Sequence, residues 1–469
     1  MTNNSRTLPP EFLRHTEEIF GQERFARFLE ALDEEPPVSI RLNTRKMKEG
    51  ESLSFIISHF SFSEAPSPVP WCADGFYLPE RPTFTFDPLL HAGCYYVQEA
   101  ASQFIEHVAK CIKPHPQPLP RREGREGKKP PLPGEVGGGF LDLCAAPGGK
   151  STALRSVLPD DCLLVCNEPI RKRAQILSEN IQKWGHPNCI VTNNYPKDFL
   201  PSFGGVGGGF DLILCDVPCS GEGMFRKDPA AIGEWSPQNV ERCWQLQRQI
   251  VADIWPCLRP GGIMIYSTCT FNTHENEENV RWIAEHFGAE SIDIPTLPDW
   301  HICGSLLPGF SAPVYRFIPG VTRSEGLFVA VLRKPDDGLK SEVKSQRSKV
   351  DGLKSEVKSL KSEVKSQRAE VKRLRVMEES PCAEALSMSF DASSYPVADL
   401  SYADAIAYLR RQAIVLPPDT PRGLVVVSYQ GHPLGMVKNI GSRANNLYPR
   451  EWAIRSTHTP QHPYPFSTQ

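Results

Sequence analysis

At 469 residues, 40% of them apolar and 23% charged, the chain is long enough for two or three domains and apolar enough to give each a core. A net charge of −3 excludes an indiscriminate polyanion coat, so a nucleic acid would have to dock on a local basic patch. No apolar run approaches the roughly 20 residues that span a bilayer, and MTNNSRTLPPEFLRHTEEIF lacks the basic and apolar regions of a signal peptide, which predicts a cytoplasmic protein.

In chain order, residues 1–112 read as an N-terminal α/β region. Within it Arg41, Asn43 and Arg45 of SIRLNTRK are candidates for backbone phosphate, or else members of an edge strand. The Pro/Gly-rich, basic stretch 113–139 cannot bury a core and reads as a surface insertion. Residues 140–334 alternate strand and helix signals, the pattern of a doubly wound α/β sheet. The strands are predicted at FLDLC (140–144), CLLVCNE (162–168), CIVTN (189–193), FDLILCD (210–216), GIMIYST (262–268) and GLFVAVL (326–332). Helices are predicted between them at RKRAQILSENIQKWG and after Ser236-Pro237, a cap followed by a proline at the first helical position. GGVGGG (204–209) lacks a following Lys-Ser/Thr and reads as a connector, not a phosphate loop. Residues 335–385 hold three copies of LKSEVKS with heptad-like apolar spacing, a solvated helical linker interrupted at Gly338 and Gly352. Residues 386–469 combine a helix at SYADAIAYLRRQA with strands at GLVVVSY and PLGMVKNIG, a small, mostly β module.

Ligands of such sheets bind beyond the strand carboxyl ends, where the strand order reverses. LDLCAAPGGKST fits that place, because Gly148 and Gly149 let backbone approach a ligand and the next helix points its N–H groups inward. The loop is not GxGxxG, which weakens a pyrophosphate reading. Glu168, ending the second strand, suits both ribose hydroxyls; the alternative is a surface glutamate in a helix's first turn. Ribose binding alone does not separate a nicotinamide cofactor from S-adenosyl-L-methionine.

The thiols do. Most of the fourteen cysteines read as small buried hydrophobes, and no CxxC pair or His/Cys spacing suggests a metal, so none is expected. Cys219 in FDLILCDVPCSGEG and Cys269 in GGIMIYSTCT, however, each follow a strand. Carbon 5 of cytosine is a poor nucleophile until a thiolate adds to carbon 6 and makes it enamine-like, a covalent strategy that splits one hard step into easier ones. A free thiol of pKa about 8.5 is only a few per cent ionised at neutral pH, so such a site must lower that value or supply a base. A second thiol could assist proton removal or release, and Asp216 could hydrogen-bond the cytosine amino edge.

DLCAAPGGKST, DVPCSGEGMFRKDP and YSTCTFNTHENEENV together resemble the Sun-domain RNA (cytosine-C5)-methyltransferases. PVSIRLNTRK, GCYYVQEAAS and GMVKNIGSRANNLYPREW resemble the bacterial subgroup acting on small-subunit ribosomal RNA. The resemblance implies a Rossmann-like class I methyltransferase sheet, S-adenosyl-L-methionine as cofactor, an RNA partner, a monomer and a PUA-like C-terminal domain. It implies Cys269 as nucleophile, Cys219 as the residue aiding product release, and cofactor contacts from Cys144, Ala145, Ala146, Pro147, Gly148, Gly149, Lys150, Glu168 and Asp216. Two departures stand out. Val217 replaces the family's alanine, and VTNNYPKDF lacks the acid near the adenine, leaving Asn193 or Asn194 for that contact.

Arg226 and Lys227 read equally as phosphate ligands or solvated cations, and His186 and His274 as surface or capping residues. Lys438, Arg443 and Arg450 beside Tyr448 and Trp452 suit structured RNA. The rival functions are the same chemistry on transfer RNA, a non-catalytic ribosome-assembly factor, and a nicotinamide dehydrogenase.

Overall fold

The computed structural model describes residues 8–47, 52–60, 62–112, 139–200, 209–336, 374–391 and 394–457. The insertion up to residue 138, the connector at 204–208 and the LKSEVKS copies lie outside the described residues. The strands in chain order are β1 (Val38–Leu42), β2 (Ser67–Val69), β3 (Cys72–Leu78), β4 (Tyr95–Val97), β5 (Gly139–Asp142), β6 (Leu163–Asn167), β7 (Cys189–Thr192), β8 (Phe210–Asp216), β9 (Leu258–Thr268), β10 (Glu290–Ser291), β11 (Tyr315–Phe317), β12 (Leu327–Arg333), β13 (Val397–Asp399), β14 (Gly423–Tyr429), β15 (His432–Asn439) and β16 (Ala444–Asn446).

The central sheet runs β10-β12-β9-β8-β5-β6-β7, with β11 paired to β12. Strands β5 to β9 pair in parallel, and β12 joins β9 antiparallel. Helices cover both faces, so β5 and β6 are buried along their whole length and read as unbroken apolar runs. The chain leaves β5 for β6 and β7 on one side, then returns to β8 and β9 on the other. The order therefore reverses between β5 and β8, and the loops leaving those two strands face each other. Helix Arg171–Trp184 follows β6, and helix Pro237–Ile254 starts where Ser236 Oγ accepts the Asn239 N–H at 3.1 Å.

The N-terminal sheet, β2-β3-β1-β4, is antiparallel, and its two faces enter different cores. Tyr77 shares a core with Phe104 and with Phe140 and Leu164 of the central module. Its strand neighbours Phe76 and Leu78 pack with Tyr408, Val425 and Tyr448 of the C-terminal module. Helices Pro10–Phe20 and Gln22–Asp33 leave this sheet and press Phe12, Phe20 and Phe28 against Phe225, Trp235 and Phe271, which belong to loops following β8 and β9.

The C-terminal sheet is β13-β14-β15-β16. Its module starts before residue 386: helix Ala383–Leu386 packs on β15, and Cys382 is buried against it. Gly435 lies at φ +148°, where a Cβ would stand 2.3 Å from Tyr408 Oη and 2.8 Å from Cys382 Sγ, so only glycine fits. The expected helix over 335–385 fails at its described end. Val376 bridges Thr192 antiparallel, with Asn193 N donating to Arg375 O (2.9 Å) and Met377 N to Val191 O (2.8 Å). The reason is that β7 is the sheet's edge, and its open N–H and C=O groups take an extended partner.

Candidate functional site

Beyond β5 the chain turns through Leu143–Gly148 at the reversal point. Leu143 N donates to Leu214 O (2.9 Å) and Ala145 N to Asn167 O (2.8 Å), so the loop is tied to both neighbouring strands. Gly148 takes a left-handed φ of +116°, and helix Gly149–Val157 begins directly after it. The outward carbonyls are held as well: Asn180 Nδ2 donates to Pro147 O (2.8 Å), and Arg173 Nη2 to Ala146 O (3.0 Å). A Cβ at Gly149 would stand 3.4 Å from Gln98 and Tyr96, leaving a narrow bare cradle of backbone. Cys144 is buried, and burial pushes its thiol well above the ordinary value, so it contributes backbone and not chemistry.

Glu168 is 1% exposed and is not the surface glutamate of the alternative reading. Its Oε1 accepts the Ile170 N–H at 3.0 Å, whereas Oε2 accepts no hydrogen bond, with the Arg173 guanidinium 3.3 Å away. A buried carboxylate oxygen lacking a donor beside a glycine turn fits the ribose hydroxyls of a nucleoside cofactor. Asn167 braces this corner, donating to Leu143 O and Asn194 O and accepting from Thr192 Oγ1. Asn193 Nδ2 is engaged by the carbonyls of Glu168 and Pro169, and the Asn194 amide by both backbone groups of Arg375. Both asparagines left for the missing acid's contact are thus engaged with backbone groups.

Across the reversal point, β8 ends in Asp216. Its Oδ2 accepts from Lys150 Nζ at 2.9 Å and its Oδ1 from Ser267 Oγ at 2.7 Å, joining the glycine loop, β8 and β9 in one chain of contacts. Three residues on, Cys219 Sγ lies 3.3 Å from Cys269 Sγ. All fourteen cysteines are free thiols, and this pair is half-buried. The hydrogen bond with Cys219 holds Cys269 below its ordinary value against burial and the charge of Asp216, and Lys150 lowers it further. The same hydrogen bond, and then burial, push Cys219 well above. The two thiols are unequal: the charge favours Cys269, the proton Cys219. A cavity of about 740 Å³ opens on Cys219, lined by Pro218, Ser220, Met224, Asn239 and Leu246, and is wide enough for a nucleotide.

Sequence reasoning missed four supporting residues. Ser267 orients Asp216. Asp142 is buried, accepts from Ser151 Oγ at 2.6 Å, and is pushed up to about 7 by burial. Glu222 and Glu275 tie the two cysteine loops together. Their signal was an acid three residues after Cys219 and another six after Cys269.

Other candidates fall elsewhere. Arg41 is wholly buried, donating to Gln98 Oε1, Ser156 Oγ and Thr152 Oγ1 with its guanidinium 4.5 Å over Trp184; it joins modules and cannot meet phosphate. Its strand, β1, lies between β3 and β4 and is not an edge. Asn43 is buried on the carbonyls of Gly93 and Trp184, and Arg45 pairs with Asp160. Arg226 is buried against the carbonyls of Glu34 and Glu35, while Lys227 is exposed. Tyr448 and Trp452 are core residues, not a stacking platform, although Lys438, Arg443 and Arg450 are exposed. His186 accepts the Asn188 N–H, and His274 contacts Glu241 and Glu278. Val217 sits in the apolar core without disturbing the thiols. Among the described residues, no group of three or more His, Cys, Asp or Glu side chains could hold a metal ion, and no helix is long and apolar enough to cross a membrane.

Three family models match the chain: 16S rRNA methyltransferase RsmB/F over residues 131–333, the N-terminal domain of 16S rRNA methyltransferase RsmF over 8–100, and the methyltransferase RsmF PUA domain over 395–454. Ribosomal RNA small subunit methyltransferase F of Erwinia tasmaniensis is 28% identical, over 96% of this chain and 98% of its own length. The relative of that name in Pectobacterium atrosepticum is 32% identical over 70% of this chain and 63% of its own length. Among solved structures, a methyltransferase homolog protein from Pyrococcus horikoshii shares the fold with a TM-score of 0.54 at 24% identity, over 69% of this chain and 94% of its own. NSun6 from the same organism aligns with a TM-score of 0.54 at 20% identity, over 71% of this chain and all of its own.

Proposed function

This chain belongs to the 16S rRNA methyltransferase RsmB/F family, and from that premise we propose that it methylates carbon 5 of a cytosine in small-subunit ribosomal RNA through a covalent bond to Cys269. The observation that carries the reading is the thiol pair, 3.3 Å apart, beyond the carboxyl ends of β8 and β9. Residues 140–334 carry the chemistry, and 1–112 and 386–469 engage the RNA.

S-adenosylmethionine, when bound, would supply the methyl group as an electrophilic sulfonium whose sulfur leaves as the neutral thioether. Backbone from Cys144 to Lys150 would hold it, and the unsatisfied Glu168 Oε2 would accept from its ribose. Cys269 adds as thiolate to carbon 6, and the electrons of the 5,6 double bond pass into the ring, leaving carbon 5 able to attack the methyl group. Asp216 keeps lone pairs beyond those used by Lys150 and Ser267, and with them it accepts from the cytosine amino edge and favours the protonated ring nitrogen. Lys150 offsets the negative charge of Asp216 beside the thiolate. Release then breaks the bond between sulfur and carbon 6. The carbon 5 proton leaves to water, its electron pair restores the double bond, and the departing sulfur accepts the S–H of Cys219.

Purified 30S particles and transfer RNA, each incubated with labelled methyl donor, test substrate and chemistry together. The expected outcome is 5-methylcytosine in the ribosomal RNA, none from Cys269→Ala, and a covalent protein–RNA adduct from Cys219→Ala. Methylation by Cys269→Ala at the normal rate would reverse the two roles, and label in transfer RNA alone would move the substrate.

A further inference from the structure

Each cysteine loop carries an acid whose carboxylate serves the other loop. Glu222 Oε2 accepts the N–H groups of Phe271 (2.6 Å) and Asn272 (3.0 Å), which follow Cys269, and its Oε1 accepts the indole N–H of Trp235 (3.0 Å). Glu275 Oε2 accepts the N–H of Ser220 (3.0 Å), the residue after Cys219, and Nε2 of Gln247 (2.7 Å). Asn272 Nδ2 joins the two acids, 3.1 Å from Glu222 Oε1 and 2.8 Å from Glu275 Oε1. Backbone closes the same seam, where Gly223 N donates to Cys269 O at 2.7 Å.

Two carboxylates buried this closely are costly, and burial together with the charge of Glu222 pushes Glu275 up to about 7. Hydrophobic packing alone would not require them. What they supply is acceptors for N–H groups of turns that neither sheet nor helix serves and, in the ionised form of Glu275, a negative charge that acts on Cys219. That charge opposes ionisation of Cys219. It reaches Cys269 as well, but there Lys150 opposes it. Lys150, paired with Asp216, thus acts on Cys269, while Glu275 acts on both thiols and is tied by hydrogen bond to the residue after Cys219.

We propose that Glu275, clasped to Glu222 through Asn272, is a positioning residue that holds the Cys219 loop, by the Ser220 N–H, so that Cys219 stays within hydrogen-bond reach of Cys269, ready to receive the departing sulfur. This rests on the roles given above to Cys219 and Cys269. Glu275→Gln removes the charge and turns an amide N–H₂ toward donors, loosening the loop of Cys219 while leaving Cys269, Lys150 and the cofactor loop intact.

The full chain, small-subunit ribosomal RNA and labelled methyl donor form the assay, read as turnover and as protein–RNA adduct on a denaturing gel. Glu275→Gln is expected to transfer the first methyl group, to accumulate adduct with Cys219 in place, and to lose about tenfold or more in kcat with KM for RNA unchanged, the scale of a charged hydrogen bond. A merely destabilised protein would lose adduct and turnover together. Normal turnover without adduct in Glu275→Gln, while Cys219→Ala still accumulates adduct, overturns the proposal. If neither variant forms adduct, the covalent reading itself has failed. Should Glu275→Gln not fold, Asn272→Ala removes the amide that joins the two acids while leaving both carboxylates in place, and the same two outcomes decide.

Discussion

Lys150 shows how one charge can set the reactivity of a thiol it does not touch. Cys269 is held down chiefly by the hydrogen bond from Cys219, while Asp216 pushes it up and Lys150 pulls it down. Thiolate is the nucleophile, so the rate of the first chemical step rises with pH to the pKa of Cys269 and then levels. Lys150→Met removes the cation and leaves Asp216 unopposed. The acid limb of the single-turnover profile is then expected to move to higher pH, with alkylation of Cys269 by iodoacetamide moving in parallel. An unchanged limb in both measurements would show that Lys150 does not act on Cys269. Both cysteines were legible from motif position, because each follows a strand of continuous apolar residues. Arg41 was misread because its partners Gln98, Thr152 and Ser156 stand far along the chain, and nothing local separates an arginine for side chains from one for phosphate.

At the scale of elements, the buried parallel strands could be read directly, since a strand covered on both faces is an apolar run without alternation. Less legible was where the first two helices pack. Their apolar stripes announce a partner without naming it, and the partner is the pair of loops that follow the cysteine strands. Phe28 is fully buried, its ring 5.1 Å from that of Phe271 and 5.3 Å from that of Phe20. Phe28→Ala is expected to cost about 3–5 kcal/mol of stability by urea denaturation. Because Phe271 lies two residues past Cys269, it is also expected to lower kcat more than it raises KM. A stability loss with full kcat at a temperature where the variant stays folded would separate these helices from the chemistry. The segment Leu374–Met377 was taken for the end of a helix because valines and leucines recurred at heptad spacing. An unpaired edge strand overrode that weak preference.

For the whole molecule, the two faces of the N-terminal sheet tie the modules together. One face shares a core with the central sheet, the other with the C-terminal module, where Tyr448 Oη lies 3.4 Å from His91 Nδ1 and Tyr402 Oη donates to Phe86 O. Aromatics that looked like an RNA platform are spent on this junction, whereas Lys438, Arg443 and Arg450 are exposed. Tyr448→Ala removes a fully buried ring and is expected to cost about 3–5 kcal/mol. Hydrogen exchange is expected to show protection lost in β1 and β4 as well as in β14 and β15. Loss confined to the C-terminal strands would mean that the shared core does not unfold as one unit.

What the sequence by itself determined is local: the strand runs, the glycine turn, the capped helix at Ser236 and the two thiols with their aspartate. Each of these depends on residue type within a few positions. Only the tertiary structure decided that the two thiols meet, which acids lock the two loops, and which arginines and aromatics are buried. Charge, burial and hydrogen-bond reach depend on neighbours fifty or more positions away, such as Cys219 for Cys269 and Glu275 for Ser220, and no spacing rule records them.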